Sequence, residues 1–302
     1  MQHPRGQELL GNLFFLQVPP LGIHSLYLVQ FGWIPTLLIV GFGALYLLGV
    51  HRVRQLSSSA WPRYRTISFM ISLLVIAIAI ESFIGKYDNV LFWLHMIQHL
   101  LLVMIAGGLA ALGAPIDLLR SATSGKLGKY IESTYQSRIA QGIFHPITAM
   151  VIYAASIPIT HLTSIYNDTL RYESLHDLEH VFFIVVGYLF WRPVIGIEGI
   201  KLSPAIRLAY LALAVPVDTF TGMALVLTKS EIFPYYLSFH RSWGPSLVSD
   251  LHDGGAAMWV GGDFLMFLAM LPVAFQWARL DEIQAKEMDR ILDAADSEIP
   301  WL

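Results

Sequence analysis

The chain contains no cysteine. Disulfides, thiolate metal sites and a cysteine nucleophile are therefore excluded, which leaves His, Met and carboxylate side chains as ligands for any transition metal. Charge is also scarce. Asp, Glu, Lys and Arg make up 14% of the residues and net to -3, so the chain has no basic footprint for nucleic acid. No low-complexity tract and no internal repeat beyond an echo of two His pairs is present, and no linker divides the chain. What abounds is apolar: 55% of the 302 residues are hydrophobic and the mean hydropathy is +0.57, too apolar for an ordinary soluble domain.

Seven stretches have the length and hydrophobicity to cross a bilayer: Phe31 to Val50, Thr66 to Gly85, Phe92 to Gly113, Ile143 to Ile159, Leu178 to Ile195, Ala205 to Leu227 and Ala256 to Ala278. The expected fold is an all-α, polytopic seven-helix bundle. Pro216 and Pro272 are expected to kink the sixth and seventh spans. Residues 1–30, broken by Pro19, Pro20 and Gly22, read as an extracytoplasmic interfacial segment; 31–280 form the transmembrane domain; and 281–302 form an acidic, amphipathic cytoplasmic tail. Arg52, Arg54, Arg63, Arg65, Arg120, Lys126, Lys129, Arg138, Arg192, Lys201, Arg207, Arg279, Lys286 and Arg290 all fall on one side of this plan. By the positive-inside rule that side is cytoplasmic, with the N-terminus outside and the C-terminus inside.

His95 and His99 open the third span and His176 and His180 open the fifth. Each pair is four residues apart, so its two imidazoles share a helix face. Titratable side chains are costly at membrane depth, which marks both pairs as functional candidates. With the assigned topology they lie at similar depth near the outer face and can meet across the two helices. Acidic residues gather at the same level: Glu81, Asp218, Asp250, Asp253 and Asp263. Imidazoles and carboxylates on facing helices are a usual transition-metal site in bundles, and Met96, Met223 and Met258 could add thioethers. Blander readings stand beside these. His24, His161 and His240 could simply hydrogen-bond to water or a loop carbonyl, Asp218 could bond to Thr219 or Thr221, and Met96 and Met258 could serve packing alone.

Four stretches carry a resemblance. Phe92-Trp-Leu-His95-Met-Ile-Gln-His99-Leu-Leu-Leu with Leu112-Gly-Ala-Pro115, His176-Asp-Leu-Glu-His180, Pro216-Val-Asp218 with Gly222, and Trp243-Gly-Pro-Ser-Leu-Val-Ser-Asp250 leading to Gly254-Gly255 and Met258-Trp259 resemble the CtaG family of cytochrome c oxidase assembly factors, the type found in caa3-oxidase bacteria. After Asp250 the family tends to carry Gln, whereas this chain has Leu251, His252 and Asp253. The resemblance implies a non-enzymatic, multi-pass protein of the bacterial plasma membrane. It would bind copper on the extracytoplasmic side and help insert it into the oxidase at CuA or CuB, with His95, His99, His176, His180, His252, Asp218 and Asp250 as candidate ligands. Implied partners are the oxidase subunits, a copper donor protein and the bilayer. The small residues Ala106 to Gly113 allow close packing within the bundle or in a homodimer. From the residues alone, a haem-binding membrane cytochrome, a metal-dependent membrane enzyme and a metal or proton-coupled transporter stay open.

Overall fold

The computed structural model describes residues 19–56, 60–237 and 241–297. Residues 1–18, most of the expected interfacial segment, and His240 lie outside them. Every regular element among the described residues is helical. After a short 3-10 turn at Ile23–Tyr27 come α1 (Trp33–Leu56), α2 (Arg63–Glu81) and the single turn α3 (Phe83–Tyr87). The next helix is built in three continuous pieces: α4 (Phe92–Leu100), a π-helical stretch (Leu101–Ala106) and α5 (Gly107–Gly113). It breaks at Ala114, whose φ of 50° is left-handed, just before α6 (Pro115–Ala122). Two short helices, α7 (Gly125–Tyr135) and α8 (Arg138–Ile143), lead to α9 (Pro146–His161), α10 (Ser164–Arg171), α11 (Glu173–Ile195) and α12 (Pro204–Val226). The chain ends with α13 (Pro234–Leu237), α14 (Leu247–Ala256), a second π-helical stretch (Ala257–Gly261) and α15 (Gly262–Ser297).

Six of these helices are long and apolar enough to span a membrane: Trp33–Leu56, Arg63–Tyr87, Phe92–Ala122, Glu173–Ile195, Pro204–Val226 and Leu247–Ala294. The fourth expected span takes a different form. α9 has 16 residues, about 24 Å of helix, short of the ~30 Å hydrocarbon core. It then bends by 71° into α10, and a count of seven is reached only if that bent pair is one span. The bend follows local chemistry: Thr163 caps the new helix by accepting from the Ile165 N–H at 3.3 Å. The helices continue through Pro216 and Pro272. α15 also runs on through residue 281, where the tail was expected to begin.

One crossing positions the two His pairs. A Cβ added to Gly107 would lie 2.5 Å from the Gly187 carbonyl carbon, and one on Gly187 would lie 2.3 Å from the Val103 oxygen. α5 and α11 therefore touch backbone to backbone, which only glycine permits. His180 lies seven residues before Gly187 and His99 eight before Gly107, about two turns toward the same end of the bundle. The π-helical stretch frees carbonyls beside this crossing, and tertiary donors satisfy them: Trp191 Nε1–H donates to Val103 O at 3.1 Å, and Ser72 Oγ–H to Ala106 O at 2.8 Å. α12 and α14 make a second backbone approach, where a Cβ on Gly222 would lie 2.6 Å from Gly255 O.

Candidate metal centre

Helical spacing puts His95 and His99 on one face of α4, and His176 and His180 on one face of α11. The α5–α11 crossing turns those faces toward each other. All four imidazoles are buried, His95 completely at 0% exposure. The rings touch: His95 and His99 centroids are 4.3 Å apart, His176 and His180 4.3 Å, and His95 stacks on His176 at 5.0 Å with 25° between the planes.

Two carboxylates complete the cluster, and neither was among the expected ligands. Glu179, inside the His176–His180 motif, reaches across to the other pair, with its Oε2 3.7 Å from His95 Nε2 and 3.9 Å from His99 Nε2. Asp88, in the turn before α4, lies with its Oδ2 3.8 Å from His176 Nε2. These separations are too long for hydrogen bonds. The result is two buried groups, His95–His99–Glu179 and Asp88–His176–His180, in each of which one ligand atom per residue lies within 4.8 Å of the others. Both imidazole nitrogens of His95, Nε2 of His99 and His176, both Glu179 oxygens and Asp88 Oδ1 have no hydrogen-bond partner among the described residues. Leaving that many buried polar atoms without partners costs on the order of 1–3 kcal/mol each, unless a cation, water or protons occupy the space.

The surrounding hydrogen bonds decide which atoms hold lone pairs. His161 Nδ1 is 2.9 Å from Ile157 O, a carbonyl that can only accept, so Nδ1 carries the proton and Nε2 accepts. His99 Nδ1 lies 3.1 Å from that Nε2 and must donate to it. The neutral His99 ring is thereby left with its lone pair on Nε2, facing the Glu179 carboxylate. Gln98 does the same for the second group. Its amide nitrogen donates to Ala79 O and to Asp88 Oδ2, both at 2.9 Å, so its oxygen accepts at 3.0 Å from His180 Nε2–H. His180 Nδ1 then bears the free lone pair. A ring whose far nitrogen is held as a donor while its near nitrogen is bare is the arrangement of metal-ligating histidine.

The remaining expected residues stand elsewhere. Asp218 accepts from Tyr153 Oη–H at 2.7 Å, while Thr219 donates to Asp263 at 2.9 Å and Thr221 to Val217 O at 2.8 Å, so neither threonine bonds to Asp218. Asp218 shares a small cavity of about 20 Å³ with His99, His161, Met96 and Met258. Asp250 caps α4 by accepting from the Phe92 and Trp93 N–H groups at 3.2 and 3.1 Å, and it pairs with Arg241 at 2.7 Å. It orients the helix that carries His95 and lies outside both groups. His252 Nε2–H donates to Thr228 O at 2.7 Å and is likewise outside them. His24 is exposed, and Glu81 accepts from Thr36. Asp88 carried no signal in the sequence, because it stands in a turn without periodic spacing. Glu179 and Gln98 lay within the quoted motifs, where a buried polar residue beside each His pair was the available clue.

Uncharacterized proteins of Mycobacterium leprae and Mycobacterium bovis are 28% and 30% identical to the chain, over 86% and 84% of its length. The chain spans about 40% of the length of these curated relatives. No solved structure matches it. The family model described as cytochrome c oxidase caa3 assembly factor matches residues 44–280, and the chain belongs to that family.

Proposed function

We propose that this membrane-embedded assembly factor binds copper at the His95–His99–Glu179 and Asp88–His176–His180 cluster and hands it to a cytochrome c oxidase subunit. One observation carries the reading: the tautomer forced on His99 by His161 aims a bare nitrogen at a buried carboxylate, a pairing that is repulsive until a cation sits between them. Imidazole and carboxylate ligands suit Cu(II), and the absence of thiolates weighs against a purely Cu(I) site. The Lys and Arg asymmetry of the loops supports an extracytoplasmic position for the cluster, the side of the oxidase's CuA centre. Family membership favours assembly over catalysis, so copper is cargo here, and the bilayer and the oxidase are the partners that follow.

Elemental analysis of purified protein tests the reading. Copper should co-purify or load stoichiometrically, and a variant with His95, His99, His176 and His180 all changed to Ala should retain none and fail to support oxidase assembly. Normal copper content in that variant would sink the assignment. A Soret band in the absorbance spectrum would instead favour a haem protein.

A further inference from the structure

The two groups share no residue, and they differ in access. Asp88, His176 and His180 line a cleft of about 480 Å³, together with Arg171, Glu173 and Asp177 on the exposed surface. His95, His99 and Glu179 do not line it; His99 instead borders the cavity of about 20 Å³ that it shares with Asp218, too small to rival the cleft as a route for an ion. Contact between the groups is direct, through the stacked His95 and His176 rings at 5.0 Å. Each group has its own carboxylate and its own orphaned ligand atoms, Asp88 Oδ1 and His176 Nε2 in the outer one, His95 Nε2, His99 Nε2 and both Glu179 oxygens in the inner one.

We propose that the cluster is two metal stations in series, each taking one divalent transition-metal ion. The outer station receives the ion from the cleft, and the inner station is filled from the outer. Gln98 keeps the stations distinct. Placed between His95 and His99 on α4, it ties Asp88 and His180 to each other and leaves the inner group to Glu179. One charge per station also argues for two ions, since a single dication would leave the other station's carboxylate buried beside bare imidazole nitrogens. A ring stacked on the next station's ring allows ligand exchange over a short step, and the cleft carboxylates of Glu173 and Asp177 attract the incoming cation. No bond in the protein is made or broken apart from coordination bonds, and no electron is transferred.

This inference deepens the copper reading and rests on the same cluster, so the experiment uses two metals. The purified 302-residue chain in detergent is stripped with chelator, then loaded with Cu²⁺ or with Zn²⁺ while bound metal and loading rate are followed. The wild type should take up two ions per chain. Asp88→Asn with His176→Ala should take up one, at least tenfold more slowly, and His99→Ala with Glu179→Gln should take up one at the wild-type rate. The inference is overturned if the wild type saturates at one ion, if both double variants lose all metal, or if the outer variant fills the inner station at the wild-type rate.

A second variant avoids the buried residues. Because the chain lacks cysteine, Glu173→Cys offers a single exposed thiol in the cleft, and coupling it to a bulky maleimide should slow loading of both stations at least tenfold. Unchanged loading would overturn the route. Two-step loading by Zn²⁺ with no uptake of Cu²⁺ would keep the stations and remove the copper reading, whereas uptake of neither metal would remove both.

Discussion

Near one end of α11, Arg192 is buried against Glu198 with 3.6 Å between Nε and Oε2, donates to Tyr135 Oη at 2.8 Å and lies over the Phe144 ring. Glu198 in turn accepts from Tyr188 Oη–H and from the Asp117 N–H at 2.8 Å. About 20–24 Å away along the same helix, Glu179 and His176 are just as buried, yet both Glu179 oxygens and His176 Nε2 have no hydrogen-bond partner among the described residues. Positive charge meets negative charge at the Arg end within the protein itself. At the His end, the ion-pair partners of Glu179 and Asp88 are imidazoles, which carry charge only when protonated. Burial alone therefore does not mark a functional site in this bundle. What distinguishes the His end is that, among the described residues, only imidazoles lie within ion-pair distance of its two carboxylates, while the Arg end is a closed structural clamp joining α6, α7 and α11.

The comparison breaks most visibly at the Arg end. Arg192→Met leaves Glu198 buried without its partner and should cost about 3–5 kcal/mol, read as a lower unfolding midpoint in detergent, while the metal content of the folded fraction stays unchanged. If metal is lost in proportion, the two ends are not independent. Next comes the His end, where saturating metal should stabilise the stripped wild type by about 3 kcal/mol at a hundred times its Kd and leave the quadruple His→Ala variant unmoved. Equal stabilisation of both proteins would place the metal somewhere else.

Asp250 tests a middle case, a buried carboxylate near the site whose partners are internal. Asp250→Asn should cost about 1–2 kcal/mol through the weakened α4 cap and Arg241 pair without changing metal stoichiometry. Loss of metal without loss of stability would assign it to the site. The smallest effect concerns Glu198, in the loop after α11, whose pKa is raised by burial. An acid with a raised folded pKa prefers its protonated form when folded, so its contribution falls as pH rises from the ordinary carboxylate range toward the folded value and then levels off. A melting series across acidic to neutral pH should show that decline, and Glu198→Gln should flatten it. An identical slope in the variant would move the effect to another group.

Much of the site was legible because its signals are local. The i, i+4 spacing of His95 with His99 and of His176 with His180, set in apolar runs, identifies pairs that must share a face and be buried. The split into two groups was not legible. Glu179 belongs by sequence to the His176 motif but by geometry to the other pair, and Asp88 joins from a turn with no pattern of its own. Asp218, Asp250 and His252 were expected near one depth, but depth does not choose a hydrogen-bond partner, and they bond to Tyr153, Arg241 and Thr228. In the sequence alone, His161 stands open between a bland and a ligating reading. Its bond to His99 makes it the residue that sets the His99 tautomer. The bend in the fourth expected span was not legible for a related reason: hydropathy sums over the apolar run, while the Thr163 cap that turns the chain depends on one side chain.

By itself the sequence determined that this is a helical membrane protein, which residues pay the cost of burial, and which of them are neighbours on one helix, since all of these follow from composition and a 3.6-residue period. The tertiary structure alone decided which faces meet. That choice depends on how closely α5 and α11 approach at Gly107 and Gly187, and a contact between residues eighty positions apart has no periodic trace in the chain. It also decided the proton positions, because a histidine's bare nitrogen is fixed by what its other nitrogen touches.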